Sequence, residues 1–122
     1  MSDETKDLII VMTKGIYDEV SSVGLTIANG ALTSGKTVGL FLTSSAIDLV
    51  RKNGVNHTQV SPMEPLKDLL ESFMARGGDV WACPPCTVAR GYDADSLIDG
   101  VVIHGASVIF ERIQKGAKTL TF

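Results

Sequence analysis

The stretch GGDVWACPPCTVARG, residues 77–91, decides how the rest of the chain is organised. Residues 80–82 form an apolar run typical of a short buried strand, and they lead directly to Cys83 and Cys86 with two prolines between them. Proline is best tolerated in the first turn of a helix, where its missing N–H would have no partner. The stretch therefore predicts a strand that passes into a helix whose N-cap is Cys83.

A cysteine at a helix N-cap has surroundings that make a thiol reactive. The Cys83 sulfur would face the positive end of the helix dipole and could accept hydrogen bonds from the N–H groups of Cys86 and Thr87. Both effects would lower its pKa below the value of about 8.5 for an ordinary thiol. We therefore expect Cys83 to be the more reactive of the two cysteines, which are the only ones in the chain.

Length and composition fit one globular domain over residues 1–122, with 44% hydrophobic and 20% charged residues. A net charge of −3 and scattered basic residues predict neither a nucleic acid nor an anionic membrane as partner. Residues 1–7 are polar and acidic where a signal peptide needs a basic start and an apolar run, so we expect a cytoplasmic protein. In that reducing compartment a close cysteine pair is expected to be redox-active, sulfur-handling or metal-binding.

Apolar runs and helical stripes alternate along the chain. Runs of strand length occur at residues 8–12, 38–42 and 101–103, and residues 119–122 alternate as in a final strand. The first predicted helix has its apolar stripe at helical spacing, on Ile16, Val20, Val23, Ile27 and Ala31. The second has a core stripe made of Leu66, Leu69, Leu70, Phe73 and Met74.

Two shorter helices and one loop complete the predicted elements. A helix through residue 51 begins with a Ser45–Asp48 capping box, residues 55–63 with His57 form a loop, and a last helix carries residues 109–113. This order of elements predicts an α/β fold, a single-domain three-layer αβα sandwich on a mainly parallel five-stranded sheet with right-handed crossovers.

Polar residues follow the predicted strands, at the edge where open parallel sheets bind ligands. They are Lys14 and Tyr17 after the first strand, residues 43–45 including Ser44 after the second, Cys83 after the third and His104 after the fourth. We expect them to border one cleft. Arg90, about two helical turns beyond Cys83, could attract an anionic sulfur donor or pair with an acid.

Less specific interpretations stay open for each of these residues. Lys14 and Tyr17 could be solvated loop residues, His104 a hydrogen-bonded rim residue, and the two cysteines buried apolar thiols. No metal is predicted, because one cysteine pair supplies only two of the four ligands of a structural zinc site. No cofactor is predicted either, since the turn at residues 15–17 lacks the glycine spacing of a phosphate-binding loop.

Several motifs in the same order resemble the DsrE/DsrF-like family of sulfur-relay proteins. They are residues 15–18, 42–47, 80–91 with Cys83, 97–101 and the helix that starts after Gly105-Ala106. The resemblance implies a DsrEFH-like fold, a persulfide carried on Cys83, and sulfur-donor and sulfur-acceptor proteins or small persulfides as partners. It also implies a homotrimer or homohexamer. Cys86 departs from the family's simplest pattern of one working cysteine, so a carrier that ends its cycle with an internal disulfide is also open.

Three functions agree with these features. The first is a sulfur carrier that uses Cys83, and the second is a thiol–disulfide oxidoreductase in which Cys83 attacks and Cys86 resolves. The third is an oligomeric binding module without chemistry, which requires buried thiols. Thioredoxin-like proteins place a cysteine pair after an early strand, whereas here it comes two-thirds along the chain, which argues against that fold.

Overall fold

The sheet is all-parallel and has five strands in the computed structural model, which describes residues 7–56 and 63–122. The strands are β1 Asp7–Met12, β2 Thr37–Leu42, β3 Asp79–Ala82, β4 Val101–Ile103 and β5 Lys118–Thr121. Their order across the sheet is β4-β3-β2-β1-β5. The strand positions predicted from the sequence are confirmed to within about one residue at each end, a precision normal for element boundaries.

Helices connect every pair of consecutive strands, as parallel pairing requires. They are α1 Glu19–Thr33, α2 Leu66–Ala75, α3 Pro84–Ala89 and α4 Ser107–Gln114, with two 3₁₀ helices at Ser44–Val50 and Ala94–Ser96. The chain steps from β1 to β4 in one direction, and α4 then carries it back so that β5 lies beside β1. No helix of the described residues is long and apolar enough to cross a membrane.

Side chains of the strands alternate between two hydrophobic clusters, one on each face of the sheet. Ile10 and Leu40 pack with α1 and α2, whereas Ile9, Phe41 and Trp81 pack with α4 on the opposite face. Trp81 thus has the packing role that a strand tryptophan predicts. The predicted three-layer αβα arrangement is confirmed, and so is the core stripe of α2.

The predicted stripe of α1 is wrong by about one residue in each turn. Val23 and Ile27 are 36% and 37% exposed, and the buried positions are instead Ser21, Ser22, Gly24, Leu25 and Ala28. Small side chains let this helix lie close to the sheet: a Cβ atom on Gly24 would lie 3.0 Å from the methyl group of Met12. Close approach of the backbone, rather than the size of the apolar side chains, selects the buried face here.

The predicted capping box after β2 is also wrong. The segment forms a 3₁₀ helix with Thr43 as N-cap, and no side-chain hydrogen bond caps it. Asp48 is engaged elsewhere, because its carboxylate accepts a hydrogen bond of 2.6 Å from the Tyr92 hydroxyl. Of the loop predicted at residues 55–63, residues 57–62, with His57, lie outside the described residues.

Candidate functional site

The two cysteines lie at the carboxyl edge of the sheet, where β3 ends. The backbone N–H of Cys83 donates to the Leu42 carbonyl at 3.0 Å, which extends the pairing of β3 with β2 by one residue. Pro84 and Pro85 then occupy the first turn of α3, as their missing N–H groups predict. Both cysteines are free thiols of intermediate burial, so the interpretation as fully buried thiols is wrong.

Cys83 is the N-cap of α3 in its backbone, but its sulfur accepts none of the expected hydrogen bonds. The carbonyl of Cys83, rather than its sulfur, accepts the N–H of Thr87 at 3.1 Å. The predicted capping geometry for the Cys83 sulfur is therefore wrong. A thiol is a weak hydrogen-bond acceptor, so it does not replace the backbone hydrogen bond from Thr87 to Cys83 in the first turn of the helix.

Cys86, rather than Cys83, is the cysteine whose sulfur accepts a backbone N–H. Its Sγ accepts the Ser44 N–H at 3.1 Å and lies 3.3 Å from Thr43 Oγ1. The hydrogen bond with the Thr43 hydroxyl is the main cause that lowers the pKa of Cys86. Burial opposes this shift, while the Ser44 N–H, the Cys83 thiol and the Arg90 charge favour it. The surroundings of Cys86 thus favour its thiolate.

The donors to Cys86 come from a turn with an unusual backbone. Thr43 is extended, with φ −134° and ψ 167°, and Ser44 has a φ of 52° in the left-handed region. A residue with a Cβ atom loses about 1–2 kcal/mol in that region. Such strained non-glycine residues persist where the surrounding structure holds them, and they concentrate at functional sites.

A polar cleft of about 440 Å³ lies beside this turn, between the segments that follow β1 and β2. It is lined by residues 13–18 together with Ser44, Ser45 and Asp48. The two segments touch at Gly15, where a Cβ atom would lie 2.8 Å from the Ser45 carbonyl oxygen. Three of the predicted substrate-binding residues, Lys14, Tyr17 and Ser44, therefore share one cleft.

Cys83, Arg90 and His104 lie outside the lining of this cleft, which corrects the expectation that all the strand-end residues border it. Arg90 follows the last residue of α3, and its Nη1 donates to the Cys86 carbonyl at 3.2 Å. It thus lies one helical turn beyond Cys86, and its charge favours the thiolate of that residue. His104 follows β4, on the side of β3 away from β2, and its Nδ1 donates to the Gly105 carbonyl at 2.8 Å.

Sequence reasoning did not identify the pair Tyr92 and Asp48. Their hydrogen bond links the segment after α3 to the 3₁₀ helix beside the cleft, and it is the main cause that raises the pKa of Tyr92. No spacing could indicate a contact between residues so far apart in the chain. In the described ranges, no group of three or more His, Cys, Asp or Glu residues could hold a metal ion.

Known proteins with similar sequences and structures agree with this architecture. An uncharacterized protein of Methanopyrus kandleri is 33% identical over 95 residues, which cover 77% of this chain and 75% of that protein. The crystal structure of the ychN protein from E. coli is 26% identical with a TM-score of 0.75, and the match covers 97% of this chain and 99% of that one. A protein of unknown function from Methanobacterium thermoautotrophicum shares the fold, with a TM-score of 0.71 over 95% and 98% of the chains at 17% identity.

The family model that matches is more informative, because it covers nearly the whole length. It spans residues 6–122, and so includes both cysteines, the Thr43–Ser44 turn and the cleft. The protein therefore belongs to the DsrE/DsrF-like family.

Proposed function

We propose that the protein is a sulfur carrier, which takes up sulfane sulfur as a persulfide on its Cys83–Cys86 pair and passes it to the thiol of a partner. The observation that carries this proposal is the Cys86 sulfur, held by the Ser44 N–H and the Thr43 hydroxyl in surroundings that lower its pKa. A thiolate is the nucleophile in such reactions, so a site that stabilises it supports sulfur chemistry over simple packing.

The reaction exchanges one thiolate for another at each step. A thiolate of the pair attacks the outer sulfur of a donor R–S–SH, forms a persulfide on the protein, and releases R–S⁻, which takes up a proton. A partner thiolate then attacks the outer sulfur of the protein's persulfide and restores the thiolate of the pair. The persulfide rests on Cys83 before this hand-over, at the position that the family resemblance assigns. The cytoplasm suits such a cycle because thiols stay reduced there.

A thiol–disulfide oxidoreductase is the second candidate. It is favoured by one observation, the position of two free thiols within one helical turn, with Cys83 as the N-cap of α3 and Cys86 in its first turn. In that function one cysteine attacks a partner's disulfide and the other resolves the mixed disulfide, so that the pair ends as an internal disulfide.

Intact mass spectrometry separates the two candidates. Reduced protein is incubated with an inorganic polysulfide, desalted and weighed, and the modified residue is located by peptide mapping. A carrier gains the mass of one sulfur atom, and the variant with both Cys83→Ser and Cys86→Ser gains none. A protein that only loses two hydrogens, and that reduces a disulfide substrate with turnover, is an oxidoreductase and contradicts our proposal.

We further propose that the carrier works as a homotrimer or homohexamer. Several large apolar side chains of α4 and of the two edge strands are exposed, namely Val102 at 52%, Phe110 at 61%, Ile113 at 43% and Leu120 at 42%. Association would bury them and could enclose the persulfide. Sedimentation equilibrium at micromolar concentration tests this proposal, and a mass of 13.0 kDa throughout would contradict it.

A further inference from the structure

We infer that Cys86 is the thiol through which sulfur enters the protein, and that the Thr43–Ser44 turn positions its sulfur as the attacking group. This inference rests on the proposed function, and it assigns different tasks to the two cysteines. Cys86 takes sulfur from the donor, and Cys83 receives it from Cys86. Thr43 and Ser44 act as positioning residues, through the hydrogen bonds that they make with Cys86.

The directions of the hydrogen bonds support this division. The Ser44 N–H can only donate, so the Cys86 sulfur accepts at 3.1 Å in either protonation state. The Thr43 hydroxyl, at 3.3 Å, can accept from a neutral thiol or donate to a thiolate, so it can follow the loss of the proton. The Cys83 sulfur accepts no such bond at the start of α3. The donors are therefore concentrated on one of the two thiols.

The strained backbone conformation of Ser44 supports a functional role for the turn. Ser44 adopts a φ of 52°, and in this conformation its N–H donates to a sulfur 42 residues away in sequence. Ser44 also lines the cleft of residues 13–18, so the held sulfur and the cleft share one residue at their boundary. A donor molecule in the cleft would therefore meet the Cys86 side of the cysteine pair first.

The same donors act twice in the transfer that we infer. The Cys86 thiolate first attacks the outer sulfur of R–S–SH, which forms Cys86–S–SH and releases R–S⁻. The Cys83 thiol then loses its proton to solvent, and its thiolate attacks the outer sulfur of Cys86–S–SH. The products are Cys83–S–SH and the Cys86 thiolate, which is again stabilised by Thr43 and Ser44. No net oxidation occurs, and the better-stabilised thiolate is the better leaving group.

Single-cysteine variants test the order of the two thiols. Each variant is loaded with inorganic polysulfide at pH 7, quenched at intervals and weighed intact. Cys83→Ser should gain one sulfur on Cys86 at nearly the wild-type rate, whereas Cys86→Ser should load about tenfold more slowly, the scale of one hydrogen bond to a charged group. Equal loading of Cys86→Ser and the wild type would overturn the inference. Loading of none of the three proteins would overturn the proposed function itself.

A second experiment tests the turn without any sulfur transfer. In the Cys83→Ser background, the pH dependence of alkylation by iodoacetamide reports the ionisation of Cys86 alone. Adding Thr43→Val should move the midpoint to higher pH and slow alkylation at pH 7 about threefold to tenfold, the effect of one hydrogen bond to a charged group. Thr43→Ser should restore the profile of the Cys83→Ser parent.

The matched control is Thr37→Val. Thr37 is the first residue of β2, at the opposite end from Thr43, and its hydroxyl donates to the Asp7 carboxylate. Its alkylation profile should equal that of the parent. The inference fails if Thr43→Val also leaves the profile unchanged while circular dichroism shows the variant folded. It fails equally if the control shifts the profile as far as Thr43→Val does, because the effect would then not depend on contact with Cys86.

Discussion

Gly39, in the middle of β2, lies under the ring of Trp81 on the neighbouring strand. A Cβ atom at Gly39 would overlap the Trp81 Cζ3 and Cη2 atoms, so the substitution Gly39→Ala forces the ring to move. The ring has little room, because Trp81 is only 7% exposed and the Arg112 guanidinium lies 5.3 Å from its centroid. Overpacking of a close-packed core costs about 1–3 kcal/mol, and we expect the upper part of that range here.

We therefore expect Gly39→Ala to lower the free energy of unfolding by about 2–3 kcal/mol, which lowers Tm by about 10 °C in a domain of this size. Because Trp81 is the only tryptophan of the chain, its fluorescence in urea follows unfolding and the local repacking together. The control is Gly30→Ala in α1, where a Cβ atom meets nothing within 4 Å and should add up to about 1 kcal/mol of helix stability. If Gly39→Ala is as stable as the wild type, the reasoning from close contact with Trp81 is refuted.

Two further substitutions test the surroundings of the thiols. Tyr92→Phe leaves Asp48 without its hydroxyl donor and should cost about 1 kcal/mol at pH 8. The pKa of Tyr92 is higher in the folded protein than in the unfolded chain, where it is about 10. The stabilisation is therefore complete below pH 10 and disappears as pH rises through the pKa of the folded protein, which urea titrations from pH 7 to 11 would reveal. Ser44→Gly relieves the left-handed conformation while keeping the N–H that bonds Cys86, so the free energy of unfolding should rise by about 1 kcal/mol. Asn53 also has a positive φ, and it is the only other non-glycine residue that does so among the described residues. Asn53→Gly should gain less stability because asparagine tolerates this conformation better, and an equal gain in both variants would contradict the assignment of strain to Ser44.

Local patterns predicted most of the architecture. The apolar runs at the strands and the stripe of α2 depend only on neighbours in sequence, and all lie where they were expected. The face of α1 could not be predicted in the same way, because Gly24 and Ala28 are buried for their small size, which hydrophobic periodicity does not measure. Likewise, the Pro84–Pro85 pair predicted the start of α3 but could not reveal which sulfur meets a donor.

The contact between Cys86 and the Thr43–Ser44 turn follows from strand order. Leu42 and Ala82, the last residues of β2 and β3, are partners in the sheet, so the segments that follow them leave the edge side by side. One segment bends at Ser44 and the other begins α3, and the first turn of that helix brings Cys86 back to the bend. Cys83 comes first in sequence and its N–H still pairs with the Leu42 carbonyl, but its sulfur makes no capping hydrogen bond. Because β2 and β3 are neighbours in the sheet, the two thiols have different hydrogen-bond partners. No local spacing in the sequence indicates that these two strands are neighbours.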